Sequence, residues 1–275
     1  MNFKISIITI NYNNKLGLQK TIDSVFAQSY TNFEFIVVDG NSTDGSKELL
    51  ELHRAKFTRL VIEPDSGIYN AMNKGIRMAR GEFLLFLNSG DCLATQDILA
   101  TIEPLLEANH DIFYADIIWE ELKKQRKVVF PERLTFNFFH HDNLSHQASF
   151  IRKTLFEEIF YYNEDYKIAA DWEFLIYAIC KMNVSYKHLN IVTTIYDGNG
   201  LSSNTANYQV LYQERNETLQ KYFPAFISDY SQLSLLNDKR VKQLLTIKKN
   251  DVAFKILKAL LKAILFFLPK QAQND

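Results

Sequence analysis

Between Lys4 and Leu87 the chain alternates short apolar runs with segments of helical period. Lys4–Ile10 (KISIITI), Phe33–Val38, Thr58–Ile62 and Glu82–Leu87 have the β-branched or continuous apolar character of strands buried on both faces. A helix is predicted after the first run, with Ile22, Val25 and Phe26 on its buried side, and another over Ser46–Lys56. Ser66–Arg80 carries the strongest helical pattern. Ile68, Ala71, Met72, Gly75, Ile76 and Ala79 form an apolar stripe, and Asn70, Asn73, Lys74 and Arg77 a polar one. Strands that each feed a helix and return imply a parallel sheet with right-handed crossovers.

Beyond Asp91 the alternation loosens. Residues 111–119 and 127–130 are predicted as a hairpin or edge strands, 170–182 as a helix and 184–196 as extended. Residues 207–222 and 228–249 are again helical in pattern, and no internal repeat or low-complexity segment occurs. Hydrophobic residues at 47% and charged residues at 23% suit a chain that buries a core. The 21 Phe and 14 Tyr point to aromatic packing, or to apolar surface meant for a membrane or partner. A net charge of -1 provides no basic field, so no nucleic-acid partner is expected. Cys92 and Cys180 lie far apart and form no CxxC pair, which disfavours a disulfide framework or zinc site and fits a reducing compartment. No cleavable signal peptide and no membrane span is expected.

In open α/β sheets ligands lie outside the carboxyl ends of the strands. Three polar loops fall there: Asn11–Asn14, Asp39–Ser46 and Asn88–Asp91. The first lacks GxGxxG, and no Walker A segment exists, which disfavours dinucleotide oxidoreductases and P-loop enzymes. A nucleotidyltransferase would need a glycine-rich basic loop after the first strand, and none is present. The turn Asn88-Ser89-Gly90-Asp91 can supply a carboxylate to a divalent cation shared with a diphosphate.

The runs SIITINYNN, FEFIVVDGNSTDGS and DSGIYNAMNKGIRMARGEFLLFLNSGD, in this order, resemble the inverting family 2 glycosyltransferases of bacterial polysaccharide and lipopolysaccharide synthesis. The resemblance covers about residues 3–200. It implies a GT-A fold: a Rossmann-like, mostly parallel central sheet flanked by helices. It also implies transfer of a sugar from a UDP-sugar to a carbohydrate or lipid-linked acceptor, with inversion. Thr9, Asn11 and Tyr12 would meet the nucleoside, Asp39 the uracil ring, with Asn41 beside it. Gly67, Asn70, Asn73 and Lys74 would lie beside the donor, Lys74 either near phosphate or on a solvated face. Asn88, Ser89 and Gly90 complete the donor loop. The family's DxD is here Ser89-Gly90-Asp91, so Asp91 would be the direct ligand of Mn²⁺ or Mg²⁺. His146 and Gln147 would line the acceptor side, and Trp172 would either wall a sugar ring or pack in the core. Asp171 would be the catalytic base. A catalytically inactive nucleotide-sugar or carbohydrate-binding protein of the same fold is the alternative, favoured only by Ser89.

The expected organisation is a glycosyltransferase domain over 1–205, with its donor half in about 1–92 and its acceptor half in 93–205, and a helical extension over 206–275. Within the extension, 251–268 reads as an amphipathic helix with Lys255, Lys258 and Lys262 on one stripe and apolar residues elsewhere. Such a helix lies on an anionic membrane or packs on its own domain or on a second copy of the chain. The wide apolar arc favours the membrane, hence the cytoplasmic face of the cell membrane.

Overall fold

The first strand, β1 (Ile5–Asn11), is buried along its whole length, which forces hydrogen-bonded neighbours on both edges and helices on both faces. The structure is a computed structural model that describes residues 3–122, 124–198, 205–227, 229 and 239–267. After β1 come α1 (Lys15–Phe26), β2 (Phe33–Asp39), α2 (Ser46–Leu52), β3 (Arg59–Ile62), α3 (Ile68–Met78) and β4 (Phe83–Phe86). The chain continues through β5 (Cys92–Leu93), α4 (Ile98–Ile102), β6 (Ile112–Glu121), β7 (Lys124–Val128), α5 (Phe136–His141), β8 (Ser149–Arg152), α6 (Thr154–Glu158), α7 (Ala170–Ile176) and β9 (Tyr186–Asp197). Then come α8 (Tyr208–Tyr222), α9 (Lys239–Lys248) and α10 (Asp251–Phe266).

The sheet order is β3-β2-β1-β4-β8-β6-β9-β5, with β7 paired to β6. The half formed by β3, β2, β1 and β4 is parallel. Beyond it the sheet is mixed: β8 is antiparallel to β4 and β6, and β9 runs parallel to β6. The chain leaves β1 for β2 on one edge and returns as β4 on the other. The carboxyl ends of β1 and β4 therefore flank the crevice where this kind of sheet binds ligands. The expected hairpin is β6 with β7.

Part of the high aromatic count goes into one core cluster. Phe156 stacks on Phe174 with centroids 4.4 Å apart, and Tyr162 lies against Phe86, Phe156 and Phe174 at 5.2–5.8 Å. This cluster joins β4, α6 and α7, and fixes α7 against the sheet.

Two compact units are present, Met1–Thr218 and Leu219–Asp275. Residues 206–218 thus group with the first unit rather than with the extension expected to begin there. The buried Glu214 of α8 supplies the reason: its carboxylate accepts the backbone N–H groups of Lys167, Ile168 and Ala169 at 2.7–3.1 Å. In the second unit, α9 is the described part of the expected helix 228–249; residues 228 and 230–238 lie outside the described residues. Neither α9 nor α10 has a buried residue. No helix among the described residues is long and apolar enough to cross a membrane.

Candidate active site

The loops after β1 and β2 are knitted into one wall. Asp39 is buried at the end of β2, where its carboxylate accepts from Asn11 Nδ2 at 2.7 Å, Ser42 Oγ at 2.8 Å and Ser42 N at 2.8 Å. Asn13 Oδ1 accepts from Thr43 N at 2.8 Å, closing the same wall. These bonds brace the loop around Asp39, which is 0% exposed. The adjacent Asn11 does present an unanswered group, since its Oδ1 is buried with no hydrogen-bond partner. Tyr12 is exposed beside it, and a Cβ on Gly40 would fall 3.1 Å from the Tyr12 ring and 2.5 Å from Asp65 Oδ2. Only glycine lets these two side chains approach that backbone. Asn41, at a left-handed φ of 66°, accepts from Lys47 at 3.0 Å on the outer rim.

The third loop, Asn88–Asp91, is pinned from α1. Thr21 Oγ1 receives Gly90 N at 3.0 Å and donates to the carbonyls of Asp91 and Asn88 at 2.8 and 3.2 Å. Gly90 has φ 113°, and a Cβ there would meet Asp197 Oδ2 at 2.7 Å. Ser89 donates to the Ile10 carbonyl at 3.1 Å, so it closes the loop onto β1. Asp91 is buried, and its Oδ1 accepts Asp197 N at 3.0 Å. Burial pushes its carboxyl up to about 6, against the opposing effects of that N–H, His146 and the Gln147 side chain. Among the described residues no group of three metal-ligating side chains forms. One carboxylate in a closed loop fits an ion held mostly by nucleotide phosphates, as Mg²⁺ commonly is, and does not fit an all-protein cage.

The centre of the site is Asp171, at the start of α7. Its Oδ2 receives His146 Nδ1 at 2.9 Å and Asn143 Nδ2 at 3.3 Å, and its Oδ1 receives the Tyr69 hydroxyl at 3.1 Å. Burial pushes this carboxyl up, but the His146 hydrogen bond and charge, the Trp172 backbone N–H and Tyr69 together hold it below the usual carboxylate range. Burial and the Asp171 charge raise the Tyr69 phenol well above its ordinary value, so it stays a donor. His146 Nε2 lies 3.0 Å from Asn88 Nδ2. One hydrogen-bonded path thus runs from Asp171 through His146 to the Asn88–Asp91 loop.

Several residues singled out from the sequence sit elsewhere. Thr9 is buried within the sheet and donates to the Leu87 carbonyl at 2.7 Å, so its side chain does not line the crevice. Asn73 and Asn70 donate to Glu164 at 2.8 and 2.7 Å, and Asn73 exchanges bonds with the Tyr162 backbone, tying α3 to the segment before α7. Lys74 pairs with Glu63 at 2.7 Å and donates to the Pro64 carbonyl. Gly67, directly before α3, has open space around it. Gln147 is buried against Asp91 rather than lining the acceptor side. Trp172 is a core residue, 1% exposed, with Nε1 bonded to the Phe139 carbonyl at 2.7 Å, and cannot wall a sugar ring from there. Conversely, Tyr69, Asn143, Glu214 and Arg215 surround or position Asp171 without any motif to announce them. Arg215 lies 4.9 Å above the Trp172 ring.

Comparison with known proteins bears on family and fold. The family model described as Glycosyl transferase family 2 matches residues 6–160. A PGL/p-HBAD biosynthesis glycosyltransferase of Mycobacterium bovis (strain BCG / Pasteur 1173P2) is 33% identical over 209 residues, covering 74% of this chain and 79% of that protein. The Escherichia coli UDP-Glc:alpha-D-GlcNAc-diphosphoundecaprenol beta-1,3-glucosyltransferase WfgD is 29% identical over 140 residues, or 50% of this chain and 54% of WfgD. Among solved structures, S. aureus TarS 1-349 in complex with UDP superposes with TM-score 0.61 at 21% identity, over 89% of this chain and 78% of that one. The mannosyltransferase PcManGT from Pyrobaculum calidifontis, in complex with GDP-Man and Mn²⁺, gives 0.56 at 15% identity, over 93% and 87%. The two structural likenesses are of fold, and the extended sequence match fixes the family. This chain is a glycosyltransferase and belongs to glycosyltransferase family 2.

Proposed function

We propose that the enzyme moves a sugar from a UDP-sugar to a hydroxyl of a carbohydrate or lipid-linked acceptor, with inversion, in cell-surface polysaccharide synthesis. The observation that carries this reading is the Asp171–His146–Asn88 path, which joins a buried carboxylate to the donor loop. In the proposed step the acceptor oxygen bonds to the anomeric carbon, its proton passes to Asp171, and the bond from that carbon to the diphosphate breaks. UDP leaves on the face opposite the attack, which inverts the centre. Asp171 supplies general-base help, and His146, Tyr69 and Asn143 hold its oxygens in place. Asn11 Oδ1, with no protein donor, suits a ring N–H of the nucleobase. Asp91 would hold Mn²⁺ or Mg²⁺ together with the diphosphate, where such an ion offsets the charge of the leaving group.

A panel of UDP-glucose, UDP-galactose, UDP-GlcNAc and GDP-mannose, read by nucleotide release with Mn²⁺ or Mg²⁺, tests the donor class. We expect at least one UDP-sugar to exceed GDP-mannose by about tenfold or more in kcat/KM, equivalent to roughly 1.4 kcal/mol. GDP release equal to or faster than UDP release would sink the donor assignment.

The place of work we propose is the cytoplasmic membrane surface, through α10. Support comes from its two faces: Val252, Ile256, Leu260 and Ile264 follow one ridge and are 57–70% exposed, while Lys255, Lys258 and Lys262 share the other side. Deleting residues 251–275 is expected to abolish co-sedimentation with vesicles containing about one third anionic lipid, and to leave the Kd for UDP within about twofold. Vesicle binding that survives the deletion would remove α10 as the anchor.

A further inference from the structure

The amide orientation beside Asp171 carries information about the acceptor. An ionised carboxylate only accepts hydrogen bonds, so Asn143 must turn its Nδ2 toward Asp171 Oδ2. Its Oδ1 is thereby fixed in another direction, where it is buried with no hydrogen-bond partner. Asn143 Oδ1 is thus a buried acceptor without a donor beside the carboxylate, and a buried polar atom left this way costs about 1–3 kcal/mol. The deficit follows from the charge on Asp171, because turning the amide to satisfy its oxygen would break its bond to the carboxylate. Arg215 adds the opposite need. Its Nε is buried without an acceptor, and no carboxylate lies within ion-pair distance of it among the described residues, although its charge interacts with those of Asp171 and Asp142.

A ligand that answers both needs brings an O–H donor for the Asn143 amide oxygen and an oxygen acceptor for the guanidinium. A sugar ring has both, because each hydroxyl donates once and accepts twice. A phosphate monoester near neutral pH brings acceptors almost exclusively, and its charge would face the Asp171 carboxylate. We propose that Asn143 and Arg215 form an acceptor subsite for a hydroxyl-bearing sugar ring. In it, the hydroxyl next to the attacking one donates to Asn143 Oδ1, and a ring substituent oxygen accepts from Arg215 Nε. The glycosyl acceptor is then a saccharide, free or already mounted on a carrier, and not a bare lipid phosphate. This rests on the assignment of Asp171 as the base.

The test compares two acceptor probes in the full-length enzyme with its best UDP-sugar: a panel of octyl glycosides (gluco, galacto, manno and N-acetylglucosamine) and farnesyl phosphate. The readout is the ratio of UDP release above the acceptor-free rate, best glycoside over farnesyl phosphate. We expect a ratio above about 10 in the native chain, and a fall of about tenfold or more in kcat/KM for the glycoside in both Asn143→Ala and Arg215→Met. KM for the glycoside should rise, while the Kd for UDP stays within about twofold. Arg215→Met keeps an apolar stem over Trp172, so it reports even if Asn143→Ala folds poorly. A native ratio of one or below, or both folded variants transferring like the native chain, overturns the subsite. Failure of the base assignment looks different: Asp171→Asn would then transfer normally whatever the ratio.

Discussion

Asp171→Asn is expected to lower kcat for sugar transfer by about 10²–10⁴-fold while the Kd for UDP stays within about twofold. The substitution removes the group proposed to take the acceptor proton and leaves the proposed nucleotide wall untouched, because Asp39, Asn11 and Tyr12 lie on other loops. It also has a stability consequence with a definite sign. The Asp171 carboxyl is held below its ordinary value in the fold. Its charge therefore contributes stability that is present above the unfolded-state value and disappears as pH falls through the folded one. The variant should melt below the native chain at pH 7, and the gap should narrow in acid. Thermal melts at pH 7 and pH 3, run beside single-turnover kinetics, separate the two effects. Transfer at the native rate by a folded Asp171→Asn enzyme would rule out its role as base.

What the sequence revealed, and what it hid, follows from how local each signal is. The parallel half was legible because strand and helix periods are short-range, and the three ligand loops follow once their strands are placed. Asp171 and His146 were reached through the order of blocks along the chain, and the structure brings them within 2.9 Å. Harder to place from sequence are polar residues whose partners are remote. Asn70 and Asn73 fall on the polar stripe of α3, which reads equally well as ligand-facing, but that stripe meets Glu164, 94 and 91 residues away. Thr9 occupies a strand end and looks like a crevice residue, yet its hydroxyl crosses to Leu87 inside the sheet. Glu214 gave no signal at all. It is a carboxylate on a weakly amphipathic helix, buried only because three backbone N–H groups just before α7 require an acceptor. Trp172 could not be resolved from sequence because both of its readings need an apolar ring; the Phe139 carbonyl, which takes its indole N–H, decides for the core.

The second large effect belongs to Asp91, where binding and folding pull in opposite directions. Burial pushes its carboxyl from an ordinary value of 3.8 to about 6. An acid raised in the fold is costly to ionise there. The cost is absent below the unfolded value, grows as pH rises from 3.8 to about 6, and is complete above 6. That rise corresponds to about 3 kcal/mol, read as an upper figure because the surroundings relax around the charge. Asp91→Asn keeps an oxygen for the Asp197 N–H and discards the charge. In metal-free, nucleotide-free enzyme it should raise the melting temperature by about 3–8 °C at pH 8, with little change at pH 4. The same variant should lose the ion's contribution to nucleotide binding. Where Mn²⁺ tightens UDP binding to the native chain by about tenfold or more, the variant should show the same Kd with and without the metal. Together, these outcomes would mean that the loop tolerates an unfavourable charge because the ion and diphosphate require it, a pattern expected where local folding rules fail at a working site. A melting temperature unchanged at pH 8 would show that the charge is accommodated without cost. Metal-enhanced UDP binding that persists in Asp91→Asn would move the ion off this carboxylate, leaving the adjacent Asp197 as the next ligand to substitute.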